Sequence, residues 1–122
     1  MNFDTVEQSK ELDALIAETV LHWEVWHHSN GVIWAILPDS PWHFVIHAPN
    51  NQRAWAPSLS ITYAWPVIEA LMSRWLPTIF HDGQLWVCEL RDFHRKVVAC
   101  APTAPLAICR VALKATDFTT VC

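Results

Sequence analysis

Three observations predict an α+β fold, an antiparallel β-sheet of about five strands packed with three α-helices. Ile61, Ala64, Trp65, Ile68, Leu71, Met72 and Trp75 recur at the three- and four-residue steps of one helix face between Ser60 and Trp75. The flanking segments break into short β-like runs punctuated by Asn30-Gly31, Pro38-Asp39-Ser40-Pro41 and Asp82-Gly83. Hydrophobic residues make up 52% and charged residues 16% of 122, enough to bury most of one core in one domain.

In chain order, a first helix is expected from Thr5 to Leu21 with Asp4 as N-cap. Its stripe is Leu12, Leu15, Ile16 and Val20, with Glu7, Lys10, Glu11, Asp13 and Glu18 facing solvent. Val25 and Trp26 begin a short strand, and Asn30-Gly31 favours a tight hairpin into a second strand, Val32 to Leu37. After the Pro38–Pro41 break, Trp42 to His47 resumes as a strand, with Trp42, Phe44 and Ile46 alternating against His43, Val45 and His47. Residues 48–59 carry two prolines and two asparagines with no clear period, and read as a long loop holding Arg53 and Trp55.

The central helix follows, and Pro66, which cannot donate to the Thr62 carbonyl, either kinks it or stands in its first turn; the stripe begins before the proline, which favours the kink. Leu76 to His81, Gln84 to Leu90 and Lys96 to Ala101 then read as three strands. A last helix, Ala104 to Thr116, has Thr103 as N-cap and Pro105 in its first turn. It is apolar nearly all round. Such a helix is either fully buried or forms a subunit contact, and a homodimer is the expectation it raises.

Composition also narrows the chemistry. A formal charge of −4 excludes a general nucleic-acid binder, which needs a basic face. No window approaches the roughly 18–20 apolar residues of a membrane span. The start lacks the basic residues and apolar run of a secretion signal, so Cys88, Cys100, Cys109 and Cys122 read as reduced thiols in a cytosolic protein. Seven histidines include His43 and His47 at i, i+4, yet no HExxH or CxxC spacing marks a metal site, and no cofactor is expected. A nucleophile elbow is absent, and the two glycines both fall in predicted turns.

Eight tryptophans exceed what one small core needs, which points to an aromatic contact surface. Two places suit a binding site. The long loop and its neighbouring strand offer Arg53, Trp55 and Trp42, because arginine and tryptophan are the commonest interface anchors. The basic turn of Arg91, His94 and Arg95, beside Lys96 and Phe93, suits a phosphate or an acidic partner.

The stretches ELDALIAETVLHWE (11–24), SITYAWPVIEALMSRW (60–75) and TAPLAICRVALKA (103–115) together resemble a known family. They are similar to the opening, middle and closing helices of the phage ABA-sandwich domain, whose members end in a TAPLAIC-x-AALKA run. The opening stretch is similar to that family's L-x-x-LVAEKVMGW. Pro66 departs from the pattern, standing where the family usually has an acidic residue, and region 25–57 does not align. The resemblance implies an α-β-α sandwich of phage origin and no catalytic motif. The function expected from it is non-catalytic: a phage or prophage accessory acting in the host cytoplasm, which binds a host protein or a small phosphate-containing ligand. Inhibition of host antiviral defence, as an anti-CRISPR-like inhibitor or by sequestering a signalling nucleotide, is its sharper form. A small enzyme using the His-rich region and a phage structural or assembly accessory are the alternatives.

Overall fold

The computed structural model describes residues 3, 5–28, 32–36, 43–47 and 55–120. The elements run α1 (Lys10–Thr19), β1 (Glu24–His27), β2 (Ile33–Ile36), β3 (His43–His47), α2 (Ile61–Leu71), β4 (Leu76–His81), β5 (Trp86–Arg91), β6 (Lys96–Ala101) and α3 (Ala104–Thr120). The α+β class with three helices and antiparallel strands is confirmed. Among the described residues the strands number six, divided between two three-stranded sheets, β1-β2-β3 and β4-β5-β6.

The last helix, α3, organises the core. It packs on β5 and β6 and meets α2 and α1 on its other sides. Its residues from Leu106 to Leu113, and Ala115, are therefore buried within one chain. The all-round apolar pattern that suggested a homodimer is satisfied by this enclosure. Two basic residues on α3 serve the sheet as well. The β5–β6 turn closes with the Asp92 N–H on the Arg95 carbonyl, so alternate residues from Lys96 onward turn their peptide groups to the free edge of β6. Lys114 Nζ donates to the Val98 carbonyl at 2.7 Å and Arg110 Nη1 to the Cys100 carbonyl at 2.8 Å, covering that edge.

At the N-terminus the first helix is shorter than its pattern suggests. It starts at Lys10 under Ser9, whose Oγ accepts the Leu12 N–H at 3.1 Å. The reason lies in tertiary contacts that override helix propensity. Arg110 Nε takes the Val6 carbonyl at 2.9 Å, while Phe3 and Val6 pack against the core. Asp13 corrects a second expectation: it is fully buried, and its Oδ1 accepts the Ser58 N–H at 2.9 Å. Leu12, Ala14, Ile16 and Ala17 are buried beside it, so α1 is covered over a wider arc than the leucine stripe implied.

The middle helix, α2, sits rotated relative to its apolar stripe. Ala64, Val67 and Ile68 are buried, whereas Ile61, Trp65 and Met72 are about half exposed. Contact with α3 selects the smaller side chains, which let two helix axes approach. The helix continues through Pro66, which is exposed. On that side the Thr62 carbonyl deprived of a donor can be hydrated.

Candidate functional site

Strand alternation builds an aromatic platform on the sheet of β1, β2 and β3. Ile33 and Ala35 point into the core, which leaves Trp34 and Ile36 on the opposite face. Trp26 stands directly across from Trp34 in the antiparallel register, and it is 53% exposed. The His28 ring lies edge-on to Trp34 with centroids 6.1 Å apart. Trp26, His28, Trp34 and Ile36 together line a shallow groove of about 180 Å³. On the far side, β3 is paired to β2 with Trp34 opposite Val45 and Ile36 opposite His43, across a register shift at Ile33/Trp34. Such a shift twists a strand and re-aims its side chains.

Sequence reasoning foresaw a tryptophan surface but not these residues. The signal was present: Trp26 and His28 lie on one side of Asn30-Gly31, Trp34 and Ile36 on the other, each pair at a two-residue step. Antiparallel pairing of β1 with β2 brings both pairs to one face. Residues 29–31 lie outside the described residues, but His28 N–H bonds the Val32 carbonyl at 3.0 Å and His27 pairs with Ile33.

Of the predicted loop site, Arg53 and Trp42 lie outside the described residues. Trp55 has core duty, contrary to the expectation of a loop anchor. It is 8% exposed, with its ring 4.9 Å from that of Trp23 at 49°. The chain after it is tied to α1 by the Ser58–Asp13 bond.

The basic turn is formed, and its two arginines are answered from within. Arg91 is paired with Glu89 on its own strand, and Arg95 Nε lies 3.6 Å from Asp92 Oδ2. Asp92 also accepts the N–H groups of His94 at 2.8 Å and Arg95 at 2.7 Å. Those backbone donors, with Arg95 and Arg74 nearby, hold its carboxyl below the usual carboxylate range. The guanidinium of Arg95 lies over the Trp75 ring at 5.9 Å, and that of Arg74 at 5.7 Å. His94 and Phe93 are exposed at the tip.

Two of the thiols, Cys88 and Cys109, are poor nucleophiles. Cys88, Cys100 and Cys109 are free, and Cys122 lies outside the described residues. Burial pushes the Cys88 thiol up to about 12. The Cys109 thiol is raised well above its ordinary value by burial first, then by the charges of Asp13 and Cys88. Among the described residues no three His, Cys, Asp or Glu side chains gather as a metal site, and no helix is long and apolar enough to cross a membrane.

A helix-and-sheet sandwich carrying these helix sequences defines a class of phage protein. The chain belongs to the phage ABA sandwich domain family, whose model matches residues 14–113. Its fold is similar to the 2.0 Å crystal structure of a phage protein from Bacillus cereus ATCC 14579, with a TM-score of 0.60 and 21% sequence identity. That similarity covers 89% of this chain and 92% of the other. A search of functionally curated proteins finds no match.

Proposed function

We propose that this chain is a non-catalytic phage accessory protein that binds a host protein through the platform of Trp26, Trp34, Ile36 and His28. The observation that carries the reading is the exposed cross-strand Trp26–Trp34 pair on a sheet face. Tryptophan is enriched among residues that dominate interface energies, and neither ring is needed to fill the core. The raised Cys88 and Cys109 thiols and the internally paired arginines of the basic turn support a binding role over covalent chemistry. Inhibition of a host defence component is the sharper form of the same reading, and the family's phage origin supports it.

The test compares the wild-type chain with a Trp26→Ser/Trp34→Ser variant as baits in host lysate, with both checked for equal folding by circular dichroism. A stoichiometric partner retained by the wild type and lost by the variant supports the platform. A partner retained equally by both overturns it.

A further inference from the structure

The C-terminal ends of α1 and α2 and the flank of α3 at Ala115 and Thr116 border a cleft of about 440 Å³, distinct from the tryptophan platform. Its volume falls within the range of small-molecule sites. Val20 from the exit of α1, Leu71 from the end of α2 and Ala115 from α3 give it apolar walls. The polar contribution is uneven. Thr19 and Thr116 on the wall turn their hydroxyl protons back to the carbonyls of Leu15 at 2.7 Å and Ala112 at 2.9 Å.

Beside His22 and Ser73, the lining carries two further donors, Arg74 and Trp75. Arg74 lies over the Trp75 ring at 5.7 Å; its charge acts on Asp92 from a distance, and its guanidinium makes no hydrogen bond or close ion pair among the described residues. Arg95, the other cation on that ring, is already matched by Asp92. Trp75 is only 3% exposed, yet its indole N–H meets no acceptor among the described residues. A buried tryptophan N–H ordinarily has one. Arg74 just beyond the end of α2 also complements the helix dipole, which accounts for a cation at that place. It does not account for the unmet indole donor or for the apolar space beside it.

We infer that this cleft binds a small organic monocarboxylate with an apolar body. The planar guanidinium of Arg74, held against a ring, matches a carboxylate in two parallel bonds. Val20, Leu71 and Ala115 then cover the apolar body, and the Trp75 N–H is an available third donor. The choice of carboxylate over phosphate follows from charge. The Arg74 guanidinium, whose charge already acts on Asp92, balances at most one further negative charge, while the carbonyl ends of α1 and α2 disfavour a second.

The test uses phenylacetate as the probe, titrated into the full ¹⁵N-labelled chain while the Arg74 Nε–H and Trp75 indole N–H signals are followed by NMR. Saturable shifts of both signals in the millimolar range are expected, with affinity reduced about tenfold or more in Arg74→Gln. Arg74 is exposed, so that variant keeps its fold, and Arg74→Lys should fall between the two. The neutral 2-phenylethanol, of similar shape, should bind far more weakly. Unmoved signals at millimolar phenylacetate overturn the site, and equal affinity in Arg74→Gln overturns the role of Arg74. An equal or stronger response to inorganic phosphate overturns the monocarboxylate assignment.

Discussion

The two sheets each have three strands, but they are built to different standards. Strands β4, β5 and β6 are six residues each and pair without a register shift. Strands β1, β2 and β3 have four, four and five residues and carry a shift at Ile33/Trp34. The longer sheet also protects its edges. Arg110 and Lys114 cover β6, and Pro77 sits in β4 where the hairpin register turns its missing donor outward. One half of the molecule is thus organised around α3 for stability, while the other displays tryptophan. The difference teaches where to look for function: at the sheet whose face is left open, because the fold leans on it least.

Core truncation should give the largest contrast. Leu90 on β5 is fully buried in the sheet that α3 covers, so Leu90→Ala should lose about 2–5 kcal/mol. Ile36→Ala on the open face of β2, where the side chain is only half buried, should lose about 1 kcal/mol or less. Urea denaturation of both variants checks the pair, and equal losses would break the comparison.

Next in size is a gain. Pro66 is exposed inside α2 and cannot donate to Thr62, so Pro66→Ala should stabilise the chain by about 1–3 kcal/mol. A midpoint that does not rise in thermal unfolding would show that the missing donor to Thr62 costs the folded helix little.

Smaller again is the exit of α1. The Leu21 N–H bonds Ile16 at 3.2 Å, and His22 then takes φ 59° so that the Trp23 N–H can return to Ala17 at 2.9 Å. A non-glycine residue pays for that left-handed turn, and His22→Gly should recover about 0.5–1 kcal/mol. Unchanged stability in urea would mean that the histidine side chain offsets the strain.

Sheet β4-β5-β6 and the last two helices were legible because long, regular periods leave little choice of element. Lys96–Ala101 and Leu76–His81 have the expected bounds, and Asp82-Gly83 is at the turn. What could not be read was the rotation of each helix. Trp65 and Trp75 share one stripe in sequence, but the contact of α2 with α3 takes in Ala64 and Val67, and Trp65 stays outside. Asp13 was misplaced for a related reason: its partner, the Ser58 N–H, is forty-five residues away, and no local pattern announces it. Of the predicted site, the basic turn was legible as a turn. The pairing of its arginines was not, because that of Arg95 with Asp92 depends on how the hairpin closes.

The smallest effect expected separates the two sheets by their turns. Both hairpins of the longer sheet use an aspartate in the same way. Asp82 Oδ1 accepts the N–H groups of Gln84 at 2.9 Å and Leu85 at 2.8 Å, as Asp92 Oδ1 accepts those of His94 and Arg95. In each case the backbone donors hold the carboxyl below its ordinary value of 3.8. The β1–β2 connection, His28-Ser29-Asn30-Gly31-Val32, has no carboxylate. A depressed folded-state value means that the unfolded chain binds the proton more readily. The contribution is therefore fully present above the ordinary value and is lost as pH falls through the folded one. Asparagine keeps the acceptor oxygen but carries no charge, so Asp82→Asn/Asp92→Asn should flatten the fall in stability between about pH 5 and about pH 2. Wild type and double variant should differ most near neutral pH and converge in acid, where the wild-type carboxyls are protonated too. Urea midpoints measured across that range check the convergence, and parallel curves would show that the acid sensitivity resides elsewhere than in these two turns.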